Sequence, residues 1–149
     1  MVKILLGIGN PLRGDDGVGV YIARHFNSEG WLSIDCGTVP ENFTGVVRRH
    51  APSLLMLVDA ADMRIAPGEF RVVPKTLIEE VGIGTHSLPL THLIRYLSPD
   101  TGEIIFVGIQ PAILETMDSL SERVQAAAEK IIHILKAGDW QKIPIMEED

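Results

Sequence analysis

Short apolar runs, each stopped abruptly by Gly, Asn, Pro or Asp, constrain this chain more than any other feature. Residues 2–8 form such a run and end at Gly9-Asn10-Pro11. Residues 54–58 do the same and end at Asp59. Residues 103–109 end at Gln110-Pro111. An apolar run of this length bounded by turn signals reads as a strand buried on both faces. Residues 31–35 and, after the Pro67-Gly68 turn, residues 69–73 read as two further strands. The stretches between them have helical spacing. Val18, Val20, Tyr21, Ile22 and Phe26 predict a helix starting near Asp16. Pro40-Glu41-Asn42 opens a short helix to about residue 50, and Ser87-Leu88-Pro89 opens another to about residue 97. The last helix has a Ser119-x-x-Glu122 capping box. Its apolar face is Val124, Ala127, Ala128, Ile131, Ile134 and Leu135, and Gly138 ends it. Doubly buried strands alternating with helices imply a mostly parallel sheet covered on both sides. The expectation is one three-layer α/β/α domain over residues 1–149. It has a twisted, mostly parallel, five-stranded sheet and a frayed acidic tail from about residue 140.

A chain of 149 residues buries roughly two-thirds of its unfolded surface, so its core needs no disulfide or structural metal. The single cysteine, Cys36, excludes an internal disulfide and suits a cytoplasmic protein. A net charge of −7 argues against a nucleic-acid partner, because phosphate binding needs a concentrated basic surface. Arg48-Arg49 is the only adjacent Lys/Arg pair. No apolar run approaches the roughly 18 residues of a membrane span. The opening run is broken by Gly7, Gly9, Asn10 and Pro11, so it reads as a first strand rather than a signal peptide. The chain is expected to work as a monomer without membrane insertion.

In open α/β sheets ligands bind beyond the carboxyl ends of the strands. The polar residues just past each strand are therefore informative: Asn10, Asp15 and Asp16 after the first, Asp35 and Thr38 after the second, Asp59 and Asp62 after the third, Gln110-Pro111 after the last. A loop carrying Thr85-His86 could reach the same rim. Convergent carboxylates repel, and a bound cation offsets that cost. Two Asp and one His form an oxygen–oxygen–nitrogen set that suits nickel, zinc or iron better than calcium. The same residues have plainer readings. Asp15 or Asp16 can cap a helix, Asp59 and Asp62 can shape a turn, and His86 can be a surface loop histidine. Cys36, alone after a buried strand, reads as packing. Neither His-Glu-x-x-His nor Gly-x-Ser-x-Gly occurs, and Gly7-x-Gly9 lacks the rest of a dinucleotide fingerprint.

The segment from Gly7 to Gly19, Gly-Ile-Gly-Asn-Pro-Leu-Arg-Gly-Asp-Asp-Gly-Val-Gly, resembles the N-terminal signature of the [NiFe]-hydrogenase maturation endopeptidases. The resemblance continues in family order through Asp35-Cys36-Gly37-Thr38-Val39-Pro40-Glu41-Asn42 and Val58-Asp59-Ala60-Ala61-Asp62-Met63. It then takes in Thr85-His86-Ser87-Leu88-Pro89-Leu90 and Val107-Gly108-Ile109-Gln110-Pro111. The last two blocks resemble the branch that processes the large subunit of hydrogenase 3. The resemblance implies a phosphorylase/hydrolase-type fold. It also implies removal of a C-terminal extension from the hydrogenase large-subunit precursor after nickel insertion. By motif it maps the metal-contacting positions onto Asp16, Asp62 and His86, with the nickel supplied by the precursor. Asp35, at the end of an adjacent strand, is the expected group to orient or deprotonate a water. Two other functions compete. Gly-Ile-Gly-Asn-Pro also opens peptidyl-tRNA hydrolases, but Arg24-His25-Phe26-Asn27 matches their next block inexactly and the acidic charge opposes tRNA. The other is a nickel-sensing partner that binds the precursor without cutting it.

Overall fold

The apolar run at the start of the chain forms β1 (Lys3–Gly7), whose side chains from Ile4 onward are buried. In the computed structural model, which describes residues 2–83 and 89–148, β1 lies between β2 (Trp31–Asp35) and β3 (Leu54–Asp62), parallel to both. A 3-10 turn (Gly14–Gly17) leads into α1 (Val18–His25), which connects β1 to β2. Helix α2 (Thr44–His50) carries the chain back past β1 to β3. On the far side of β3 come β4 (Phe70–Val72), β5 (Gly82–Ile83), α3 (Leu90–Leu97), β6 (Glu103–Ile109) and α4 (Glu122–Lys136). The sheet order is β2-β1-β3-β6-β4, with β5 attached to the end of β3.

Two apolar cores cover the two faces of the sheet. One joins α1 and α4 through Val18, Ile22, Val124, Ala128 and Ile131 to Leu5, Met56 and Val58. The other joins α2 and α3 through Val47, Leu93, Ile94 and Leu97 to Ile4, Leu6, Leu55 and Leu57. Alternate residues of β1 and β3 thus face opposite cores, which is why these strands are apolar throughout. Burial of each such side chain stabilises the fold by about 1.5–3 kcal/mol. Helix α1 lies close to the sheet because a Cβ at Gly19 would collide with the Ile8 and Val58 carbonyl oxygens.

The three-layer expectation holds, with four corrections. The sheet has six strands, not five. β5 is two residues long, too short to leave a periodic signal, and it pairs antiparallel with Ala61 and Asp62. β4 runs antiparallel to β6. β3 continues four residues past the expected end at 58, because Asp59 and Ala60 pair with Gly108 and Ile109; these residues are strand, not turn. The capping box at the last helix does not form. Ser121 is the N-cap and its side chain makes no capping bond; its hydroxyl donates to Asp15 instead. The expected frayed tail is docked. Trp140 packs edge-on against Trp31, Ile143 is buried in the first core, and residues 144–146 hydrogen-bond to β4. Apolar side chains at Trp140, Ile143 and Met146 anchor a segment that its acidic end made look solvated.

Candidate active site

The chain runs from β1 to one side of the sheet and then crosses back to place β3 on the other side of β1. The carboxyl ends of β1 and β3 therefore flank the topological switch point, where open α/β sheets form their binding crevice. Asp16 lies in the turn after β1, and Asp62 is the last residue of β3.

The turn after β1 is set by close backbone approach. Gly9 has φ +144°, and a Cβ there would collide with the Asp16 carbonyl oxygen. Within this turn two adjacent carboxylates have different surroundings. Asp15 is fully buried. It accepts hydrogen bonds from the Ala112 and Ile113 amides at 2.8 and 2.9 Å and from the Ser121 amide and hydroxyl at 2.7 and 2.8 Å. Those donors span the loop between β6 and α4, so Asp15 ties that loop to the β1 turn. Asp16 accepts a single bond, from the Asn10 amide to Oδ2 at 3.0 Å. Its Oδ1 accepts none among the described residues.

At the end of β3, Asp62 is exposed and held through one oxygen. Its Oδ1 accepts from Gln110 Nε2 and from the Arg64 amide, both at 3.1 Å. The Gln110 bond, and then the Arg64 amide, hold this carboxyl below the usual carboxylate range. Asp62 is therefore charged at neutral pH. Gln110 is itself nearly buried, and its Oε1 accepts from the Met63 amide at 2.7 Å. It links the end of β6 to the end of β3. Sequence reasoning named Gln110 only as a strand-end marker. The available signal was an amide side chain immediately after a buried run, where a polar group must find partners.

The remaining candidates are placed differently. Asp35 directs Oδ2 to Arg24 Nε at 2.8 Å and Oδ1 to the Gly37 amide at 2.9 Å. Both oxygens brace the end of β2, and this geometry gives the expected water-orienting role no support. Cys36 is buried, and burial, reinforced by the Asp35 charge, pushes its thiol up to about 12. It is a packing residue. Asp59 is buried within β3. His86, with Thr85, lies outside the described residues. Among the described residues no three His, Cys, Asp or Glu side chains gather to hold a metal, and no helix is long and apolar enough to cross a membrane. Asp16 and Asp62 by themselves are hard oxygen donors, and a preference for a borderline divalent ion rests on the nitrogen of His86. Each carboxylate is braced through one oxygen and leaves the other without a hydrogen bond among the described residues.

A mostly parallel sheet with braced acidic side chains at its switch point defines the class as an open α/β protein with a candidate site there, and comparison with known proteins gives the family. The hydrogenase maturation protease (HycI) family model matches residues 18–137. The hydrogenase 3 maturation protease of Escherichia coli K12 is 35% identical over 99% of this chain and 100% of its own length. The solution structure of the endopeptidase HycI from Escherichia coli superposes with a TM-score of 0.89, at 35% identity and full coverage of both chains. The [NiFe] hydrogenase maturation protease HycI of Thermococcus kodakarensis superposes with a TM-score of 0.80, at 29% identity, covering 93% of this chain and 92% of that one. The chain belongs to the hydrogenase maturation protease family, and it is a peptidase.

Proposed function

We propose that this peptidase removes the C-terminal extension of a [NiFe]-hydrogenase large-subunit precursor after nickel has been inserted. The observation that carries the reading is the matching one-oxygen bracing of Asp16 and Asp62. Both flank the switch point, both are fixed through one oxygen, and both leave a second oxygen for a ligand. In this reading nickel belongs to the substrate. Asp16 and Asp62 supply two oxygen donors and His86 supplies the nitrogen donor, so the precursor is recognised by the metal it carries. The bound ion supplies Lewis-acid polarisation of the scissile carbonyl or of an attacking water. Asn10 and Gln110 hold the two carboxylates in register with the bond to be cut. A peptidase whose site is complete only when the substrate brings the ion spares other proteins.

The test incubates the protein with nickel-loaded precursor, nickel-free precursor and peptidyl-tRNA. Release of the extension from the loaded precursor alone is expected. Equal cleavage of both precursor forms would overturn nickel gating, and binding of the loaded precursor without release would favour a nickel-sensing partner. Cleavage of peptidyl-tRNA would overturn the reading outright. His86→Ala should block processing while circular dichroism shows an intact fold.

A further inference from the structure

The outer edge of β4 carries a short extended segment, joined to it by an isolated bridge. Val72 donates its amide to the Pro144 carbonyl at 2.8 Å, and the Val72 carbonyl accepts from the Met146 amide at 2.8 Å. Ile145 sits opposite Val72 in a parallel bridge. Val72 thus turns both backbone groups outward, while the next residue, Val73, donates inward to Phe106 at 2.8 Å. Beyond Ile143 the docked segment is held by its main-chain bonds to Val72 and by Met146, which packs partly buried against the second core. Its last well-buried side chain is Ile143 at 2% exposure, whereas Ile145 is 62% exposed.

From Met146 onward the segment lines a cleft whose charged walls are Asp62, Arg64, Arg71 and Glu80. The two guanidinium groups are balanced there by Asp62 and Glu80, and Arg71 pairs with Glu69 at 3.4 Å, so the segment is held by its main chain while it leads to the Asp62 carboxylate. An edge strand that pairs an extended peptide through main-chain bonds is a recurring peptide-recognition device. Here the pairing leads the peptide to the site at the end of β3.

We infer that the β4 edge docks an extended peptide segment of the substrate and leads it toward Asp62, and that residues 144–148 occupy this track until the substrate displaces them. The inference rests on the proposed function for the identity of the substrate, whereas the track itself does not depend on cleavage. The segment competes intramolecularly, so its removal raises the fraction of molecules able to bind.

The experiment uses a chain ending at Ile143, which keeps Trp140 and Ile143 in the core, and a fluorescent peptide with the sequence of residues 144–148. Circular dichroism first confirms that the shortened chain is folded. The peptide should bind the shortened chain saturably and bind the full chain at least about threefold more weakly. Val72→Pro in the shortened chain removes the outward amide on an edge where proline is tolerated, and should abolish binding. Should that variant fail to fold, a peptide N-methylated at its Met146 position serves instead, because it lacks the amide that donates to the Val72 carbonyl. Equal binding by the two chains, no binding by the folded shortened chain, or binding insensitive to these changes would overturn the inference. With precursor as substrate, the shortened chain should show a lower KM at unchanged kcat. An unchanged KM would also overturn the inference. If neither chain cuts precursor yet the peptide binds the track, the proposed function fails and the docking track stands.

Discussion

Asp15 and Asp16 are neighbours in sequence, yet they do opposite work. Asp15 is saturated by three amides and a hydroxyl from the loop before α4. Asp16 accepts one amide bond and keeps an oxygen unclaimed among the described residues. The same contrast separates Asp35, which spends both oxygens on Arg24 and Gly37, from Asp62, which spends one on Gln110 and Arg64. Asp15 and Asp35 have both oxygens engaged in holding the fold, whereas Asp16 and Asp62 are each braced through one oxygen, as the proposed function requires. Burial does not sort them, since Asp15 and Asp16 are both buried while Asp35 and Asp62 are not.

The largest effect should come from Asp16. Asp16→Asn keeps the side chain's shape and weakens its donor oxygen, and precursor processing should fall about 100-fold or more with an unchanged melting temperature. A comparable loss of stability would erase the distinction from Asp15. Asp15→Ala should do the reverse. It leaves buried amides without their acceptor and should cost about 3 kcal/mol, or roughly 6–12 °C in melting temperature for a domain of this size. Activity per folded molecule should be partly retained, and Asp15→Asn should keep more of it. Equal losses of cleavage in Asp15→Asn and Asp16→Asn, with folding intact, would break the comparison.

Gln110→Ala sharpens the contrast at the other end of the sheet. It removes the main cause of the depressed Asp62 carboxyl, so that carboxyl should titrate nearer the ordinary carboxylate value. Linkage sets the sign. A depressed carboxyl stabilises the fold above its unfolded pKa, and that contribution fades as pH falls through the folded value. The variant should therefore lose a smaller acid-dependent increment of stability than the parent. Carbon-13 NMR titration of the Asp62 carboxyl measures the change, and processing should drop about tenfold through lost positioning. An unmoved titration would mean that Gln110 only packs.

The smallest effect belongs to Cys36. Cys36→Ala should cost about 1 kcal/mol from the small cavity and leave processing near the parent level. Burial holds the thiol up to about 12, so it stays protonated at neutral pH, and iodoacetamide should leave the folded protein active. Complete inactivation of a well-folded Cys36→Ser variant would force a cysteine-peptidase mechanism.

Local signals determined the strands β1, β3 and β6, the helix faces and the carboxylates at the strand ends. Apolar runs and period-3.6 stripes record burial directly, and Gly, Pro and Asn mark where runs must stop. The family likeness was also legible, because its motifs cluster at those stops. Tertiary structure alone decided the rest. The extension of β3 through Asp62 depends on β6 and β5 offering partners, and β5 is two residues of no distinctive pattern. Ser119-x-x-Glu122 predicted a cap, but Asp15, over a hundred residues away, competes for Ser121 and the helix starts without the box. Residues 140–146 look like a tail until Trp31 and the β4 edge are in place to receive them. The family motif already singled out Asp16 and Asp62, but the bracing that separates Asp15 from Asp16 and Asp35 from Asp62 is set by which donors reach each carboxylate. Those donors, Ala112 for Asp15 and Gln110 for Asp62, come from segments that only the folded sheet brings near.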